Sequence, residues 1–407
     1  MNKLKLNPRD ADLNEPTAAD STSPEGLEFH YANEAKPLAT PWQVAVERAK
    51  LVRKCSLPDG PILDPACGSG IQLAAYCAML GRKATGIEMD EATAIAANSN
   101  LKRVADHGFG ESLLESSIIV GDGTIGDLQQ KFAMLHLDPA RPRNSRTHGL
   151  DEMEPKLPEI FNAWKDNLIH GDRGPAILLD LSPRLDSNQR KQVEEIVNNF
   201  WPEIGKTWVW TSRGRGRVDR LSLWIGQLSS PDIPRRFVRI PPDIKQKPLI
   251  VEGEKIEISD HRRPPRKGEY VSILDAALVE SGLALKYLES VLSGQDITWS
   301  ITEGRRPQIH HSGPVEYEHI QQKLLVQATG RIVKLVHTDL SLDTIAHLVE
   351  ASRDYGFGKL TLRISIDPKL QPKLQGSLDR QLSAKGGNHV GFVAKQPHDS
   401  MLLLCLE

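Results

Sequence analysis

Three short segments place carboxylates and glycines where they could hold a nucleoside. The first is Leu63-Asp64-Pro65-Ala66-Cys67-Gly68-Ser69-Gly70, an acidic residue followed by a Gly-x-Gly turn. Glycines at 68 and 70 let the backbone approach a ligand with no side chain between. A dinucleotide loop needs a third glycine for the pyrophosphate, and Leu73 stands at that position. A nucleoside without pyrophosphate is therefore favoured over NAD or FAD. The second segment, ATGIEMD, ends on Glu88, whose two oxygens can accept from both hydroxyls of a ribose. The third, IIVGDG, carries Asp122, which can accept from an adenine amino group. Glycine loop, ribose carboxylate and adenine carboxylate come in the order that S-adenosylmethionine requires. One such carboxylate alone is an ordinary solvated loop residue; three in register are the signal.

A fourth segment, Leu137-Asp138-Pro139-Ala140-Arg141-Pro142-Arg143, offers reaction chemistry. Asp138 can accept a proton or hydrogen bond from an exocyclic amine or ring N–H, and Pro139 fixes the backbone that presents it. Asp138, Pro139 and Arg141 are the expected catalytic set. Leu181-Ser182-Pro183-Arg184 reads either as a turn before a helix or as a pocket wall with Arg184 on a phosphate. Arg213, Arg215, Arg217 and Arg220 crowd one glycine-spaced loop, flanked by Trp208, Trp210 and Trp224 that read as core. This loop is either a solvated face or a track for a phosphate backbone. The expected substrate contacts are Arg143, Arg184, Arg213, Arg215 and Arg217. A cysteine nucleophile for attack on a pyrimidine ring is not expected, because Cys55, Cys67, Cys77 and Cys405 all lie away from the fourth and fifth strand ends; Cys67 and Cys77 read as buried structural residues. The adjacent His310 and His311 lack clustered ligands and read as surface residues, so no metal is expected.

Positioning these groups requires a particular order of elements. PILDPACGSG, GIQLAAYCAMLG, KATGIEMD, EATAIAANSNLKRVADHG, SIIVGDG and FAMLHLDPA alternate apolar strand-like and helix-like runs, which implies βαβ units and a parallel, doubly wound sheet. PAILLDLSP and a helix around 188–201 continue it. TWVWTS and RLSLWIG are close enough to pair as a hairpin, giving an antiparallel edge. In such a sheet, ligands bind beyond the carboxyl ends of the strands, where all four segments fall. Before the first strand, TPWQVAVERAKLVRKC predicts a helix over 40–55, with Thr40 as N-cap and Pro41 at the first helical position.

The rest of the chain divides by composition. Residues 1–28 are polar and lack apolar periodicity, as a disordered tail does, so the first domain is expected over 29–230. Residues 231–330 read as a basic linker and connecting helical module, with a helix from Tyr270 to about Leu292. From Gly205 to Gly268 there are 15 basic against 7 acidic residues, in a chain of 407 whose totals are 51 and 53. A polyanion partner would thus meet a local basic segment rather than the whole surface. From about Arg331, strands and helices alternate as a separate βαβαββ domain over 331–407. No run of ~20 apolar residues exists to span a membrane, and the charged first twenty residues are unlike a signal peptide. A cytoplasmic protein with reduced thiols is expected.

The glycine loop, Glu88 and Asp122 resemble the class I S-adenosylmethionine-dependent methyltransferases, a Rossmann-like fold. The resemblance places these residues against the methionine, ribose and adenine portions of the cofactor, with Asp64, Ala66, Gly70, Met89 and Gly123 beside them. It also places the fourth strand end at the transferable methyl, where nucleic-acid methyltransferases often carry a D/N-P-P-x tetrad that DPAR resembles. From about Ala39 on, DPACGSGIQLAA, LDPARPR, LLDLSPRL and RIVKLVHTDLSLDTIAHLVEASRDYGFGKLTLRISI together resemble bacterial and archaeal methyltransferases with a THUMP-like, ferredoxin-like α+β C-terminal domain. Members carry a second basic residue directly after DPAR and a Lys-rich strand end; here Pro142 precedes Arg143, and Arg363 stands near the latter position. The resemblance and the basic segment together imply methylation of a base nitrogen in structured RNA, rRNA or tRNA. A small-molecule methyltransferase and a non-catalytic RNA-binding protein retaining the fold are the alternatives.

Overall fold

The computed structural model of the protein describes residues 4–14, 16–32, 39–140, 149–214, 216–259, 262–383, 387–396 and 401–407. The chain forms two compact units. One comprises Met1–Val209, Arg220–Pro234 and Asp243–Gln246, the other Trp210–Asp219, Arg235–Pro242 and Lys247–Glu407.

The first unit opens with three short strands, β1 (Leu4–Leu6), β2 (Thr17–Ala19) and β3 (Glu28–His30). Helix α1 (Trp42–Val52) leads to β4 (Ile62–Asp64), and α2 (Ile71–Leu80) to β5 (Ala84–Glu88). Next come α3 (Glu91–Val104), β6 (Ser117–Val120), β7 (Met134–Leu137), α4 (Leu157–Trp164) and β8 (His170–Gly171). The unit continues with β9 (Gly174–Leu181), α5 (Ser187–Phe200), the first part of β10 (Lys206–Ser212) and β11 (Arg220–Gly226). The strands line up as β1-β6-β5-β4-β7-β9-β11-β10. The five from β6 to β9 are parallel, and β11 runs antiparallel to β9 with Leu221 opposite Leu181. This is a doubly wound sheet in which order reverses at β4, and ligands of such sheets bind at the carboxyl edge where the order reverses. β4 and β7 are buried on both faces, which is why their sequences read as unbroken apolar runs.

Residues 4–14 and 16–32, whose first part read as a disordered tail, are instead built into this unit. Leu4, Lys5 and Leu6 pair with Val120, Ile119 and Ile118, and β2 pairs with β3. The segment also caps α1. Pro41 is the N-cap and offers no side-chain acceptor. Asp20 Oδ2 takes the Trp42 N–H at 2.7 Å, and Thr22 Oγ1 takes that of Gln43 at 3.1 Å. Two of the first-turn donors are thus satisfied from a distant loop rather than by Thr40. Composition missed this, because the segment gains order from contacts made elsewhere in sequence.

In the second unit, β12 (Arg235–Arg239) and β13 (Leu249–Gly253) pair antiparallel within the stretch read as a linker. The helix expected over 270–292 is instead a strand and two short helices: β14 (Tyr270–Leu274), α6 (Ala276–Glu280) and α7 (Ala284–Val291). Asp275 is the reason, since its carboxylate accepts from Ala277 N and starts a helix there; Gly282, at φ +76, ends that helix. After β15 (Ile297–Ile301), β16 (Gln308–His311) and β17 (Val326–His337), the chain alternates α8 (Ile345–Arg353), β18 (Phe357–Leu362), α9 (Gln371–Ser383), β19 (His389–Lys395) and β20 (Met401–Leu406). The sheet order is β15-β16-β14-β17-β20-β19-β18. The βαβαββ alternation is present, but β14, β15 and β16 belong to the same sheet, and a boundary at residue 330 falls inside β17. β20 explains its own sequence: Leu402 and Leu404 join the core beneath α8 and α9, whereas Leu403 and Cys405 join Val271, Ile273 and Phe392 on the opposite face.

His310 and His311 are buried rather than on the surface. His311 bonds Ser272 Oγ at 2.9 Å and the Gly313 carbonyl at 2.7 Å, and His310 bonds Ser300 Oγ at 3.0 Å. Burial pushes both imidazoles down to about 4, so they are neutral polar core. Among the described residues no group of three or more His, Cys, Asp or Glu could hold a metal ion, and no helix is long and apolar enough to cross a membrane.

Candidate cofactor and methyl-transfer site

The loops after β4, β5 and β6 are tied into one cradle. The Gly68 amide donates to Glu88 Oε2 at 3.0 Å, and Oε1 of the same carboxylate accepts from Asp90 N at 3.0 Å. Asp90 in turn caps α3 through Thr93 N at 2.8 Å. Burial pushes the Glu88 carboxyl above its ordinary range, opposed by the amides of Asp90, Gly68 and Met89. On the other side, Gly123 lies against the glycine loop so closely that a Cβ there would collide with the Pro65 carbonyl. Asp122 turns its own loop by accepting from Thr124 N at 2.8 Å and Thr124 Oγ1 at 2.7 Å. Met89 follows Glu88 with its apolar side chain 71% exposed.

The two loop glycines differ in what requires them. Gly68 sits at φ +51, and a Cβ there would meet no atom within 4 Å, so its outer face is bare backbone. Gly70 sits at φ +70 and a Cβ would come within 2.9 Å of Ala97 Cβ; it lets α2 begin against α3. Asn100, also on α3, fixes the loop between them by donating to the Ser69 carbonyl at 2.8 Å. A bare, left-handed glycine beside a carboxylate already holding one loop amide suits the amino-acid and ribose portions of S-adenosylmethionine.

Asp64 does not face outward with the others. It is 2% exposed, accepts from Ala66 N at 3.2 Å and holds His136 Nδ1 at 2.7 Å. His136 Nε2 reaches Asp180 Oδ2 at 3.4 Å, and that oxygen also receives Arg48 Nη1, which bonds Gln72 Oε1 at 3.0 Å. Arg48, His136 and Asp180 are each at most 5% exposed. Sequence reasoning missed all three, although the signals were present. His136 interrupts the apolar run FAMLHL within β7, two residues before Asp138; Asp180 interrupts PAILLDL. A polar residue inside a doubly buried strand needs a partner.

Asp138 and Pro139 follow the last residue of β7. The Asp138 carboxyl is raised above its ordinary range by burial and by Asp180, against Arg220, His136 and Arg48. Arg184 is exposed, with its amide bonded to Ser182 Oγ at 3.2 Å. Arg213 and Arg217 lie in the second unit. Arg213 forks onto Asp219 Oδ1 through Nε and Nη2 at 3.2 and 3.1 Å, while Arg217, 58% exposed, stands 3.7 Å from the same oxygen. Arg141, Arg143 and Arg215 lie outside the described residues. Trp208, Trp210 and Trp224 are buried. Cys67 and Cys77 are buried too, and burial pushes both thiols up, Cys77 to about 12.

No family model matches the chain, and no curated protein matches it. Among solved structures, a Porphyromonas gingivalis W83 protein described as a methyltransferase is similar over 92% of this chain and 82% of that one, at 16% identity and a TM-score of 0.59. The fold is that of the methyltransferases. A class I S-adenosylmethionine-dependent methyltransferase from Listeria monocytogenes matches 52% of this chain and 65% of its own at 15% identity and a TM-score of 0.34. An rRNA methylase from Streptococcus thermophilus matches 44% of this chain and 93% of its own at 14% and 0.30. Those two are too distant to bear on this protein, and at 16% identity the first bears on the fold alone.

Proposed function

We propose that this protein is an S-adenosylmethionine-dependent methyltransferase acting on a base nitrogen of structured RNA, rRNA or tRNA. The observation that carries the reading is the cradle at three adjacent strand ends: bare Gly68 bonded to Glu88, with Gly123 pressed onto Pro65. Bound S-adenosylmethionine supplies an electrophilic methyl on its sulfonium. The chain's own work is to hold its ribose at Glu88 and its adenine beside Asp122, and to present the target in line with the methyl. Asp138 accepts the proton that the target N–H gives up, a role that burial, by raising its proton affinity, favours. The buried thiols, held protonated, favour direct transfer to a heteroatom over covalent catalysis.

RNA is supported by the basic composition of residues 205–268 and by the second unit, which a small substrate would not need. In this reading the second unit, THUMP-like in the sense of the resemblance, docks the RNA, with Arg213 and Arg217 on phosphates. Calorimetric titration with S-adenosylmethionine, followed by transfer of labelled methyl to total RNA from cells lacking the gene, tests it. Binding and labelling of one RNA species are expected. Failure to bind the cofactor removes the enzyme reading, and cofactor binding with label only in the small-molecule fraction replaces RNA by a metabolite.

A further inference from the structure

We propose that His136 is a positioning residue, an imidazolium clamped between Asp64 and Asp180 that ties the glycine loop to the proton acceptor Asp138. The inference deepens the methyltransferase reading and rests on it for the role of Asp138.

His136 presents one ring nitrogen to each carboxylate, Nδ1 to Asp64 Oδ2 at 2.7 Å and Nε2 to Asp180 Oδ2 at 3.4 Å. A neutral imidazole carries one N–H, so it could donate to only one of them; both can be donors only in the charged form. Both carboxylates are 2% exposed or less, so a carboxylate that loses its donor bears a desolvation cost. The groups facing the ring from neighbouring elements fit this. Asp64 comes from β4, Asp180 from β9 and Arg48 from α1. Tyr76 of α2 stands edge-on with ring centroids 5.3 Å apart. Asp138 lies two residues along, and Arg220 of β11 acts on both Asp138 and Asp180. With His136 protonated, its two N–H groups each face a buried carboxylate; with it neutral, one of those carboxylates loses its donor in a low-dielectric surrounding. In accord with this, burial opposes protonation of His136, but Asp64 and Asp180 outweigh it and raise the ring to about 9.

Each end of the clamp has a consequence. Through Asp64, whose other oxygen holds the Ala66 amide, His136 fixes the entry to the glycine loop. Its positive charge also lowers the proton affinity of Asp138, against burial and Asp180, which raise it. Neither effect requires His136 to touch cofactor or target.

The test has three readings. In the wild-type protein, the nitrogen shifts of the His136 ring should report an imidazolium at pH 7 that titrates near 9; a neutral ring at pH 7 overturns the proposal without recourse to any variant. In His136→Gln, which keeps a donor but loses the charge, the Asp138 carboxyl carbon should titrate at higher pH than in wild type, and calorimetry should show S-adenosylmethionine bound roughly tenfold more weakly. Unchanged values for both in the folded variant refute it. If wild type binds no cofactor yet the ring is charged and the Asp138 titration moves, the clamp stands and the methyltransferase reading falls.

Discussion

Gly68 and Gly70 lie two residues apart in one loop, and replacing each by alanine should separate a binding requirement from a packing one. Both have left-handed backbones, φ +51 and +70, so each alanine incurs about 1–2 kcal/mol of backbone strain. At Gly68 the strain is the whole stability cost, because the new Cβ meets nothing within 4 Å. At Gly70 the Cβ would lie 2.9 Å from Ala97 Cβ and 3.1 Å from Ala97 Cα; neither can swing aside, and α2 must move relative to α3. Overpacking of that kind adds about 1–3 kcal/mol, for a loss of about 2–5 kcal/mol in all. Urea denaturation with and without cofactor reads both effects. Wild type should gain about 2.7 kcal/mol with S-adenosylmethionine at a hundredfold over its Kd. Gly68→Ala should lose most of that gain while costing only the strain of about 1–2 kcal/mol; Gly70→Ala should do the reverse, losing more stability but still stabilised by the ligand. Equal stability losses would refute the packing argument, and a full ligand-dependent gain in Gly68→Ala would refute the placement of the cofactor.

Glu88→Ala should weaken cofactor binding by ~1–3 kcal/mol, as loss of the hydrogen bonds to one ribose does; calorimetry measures it. Asp138→Ala should slow methyl transfer ~100-fold or more with cofactor affinity within a few-fold, and because burial raises Asp138, the acidic limb of the wild-type rate profile should lie above the usual carboxylate range. Asp20→Ala should cost ~1 kcal/mol of stability through the lost α1 cap, whereas a disordered tail would contribute nothing measurable. His310 and His311, depressed to about 4, bind protons in the unfolded chain first, so the second unit should lose stability as pH falls from ~6.5 towards 4. A double replacement by Phe should flatten that part of the urea-midpoint profile.

How much of this was legible in the sequence depended on the range of the contacts involved. The parallel strands and the cradle residues could be read because each motif is local: an apolar run, then a glycine or carboxylate at its end. The charge cluster could not, because Arg48, Asp64, His136 and Asp180 come from four elements and nothing in sequence says which will meet. The same holds for Asp20, whose carboxylate is an ordinary loop residue until α1 is placed beside it. The expected helix over 270–292 failed for a local reason, since the β-branched pair Val271 and Ile273 and the helix-starting Asp275 were outweighed by the helical periodicity after them.

The position of β20 bears on how the protein is made. Residues 401–406 occupy the sheet between β17 and β19, so those two strands, separated by more than fifty residues, have no common neighbour until the ribosome has released the segment that joins them. The parallel strands from β4 to β9 are complete some two hundred residues earlier. The first unit can thus settle during translation, whereas the second remains open, with apolar strand edges exposed, until residues 401–406 have emerged. Slow or interrupted elongation before β20 would therefore present chaperones and proteases with a folded first unit joined to an unfinished second one.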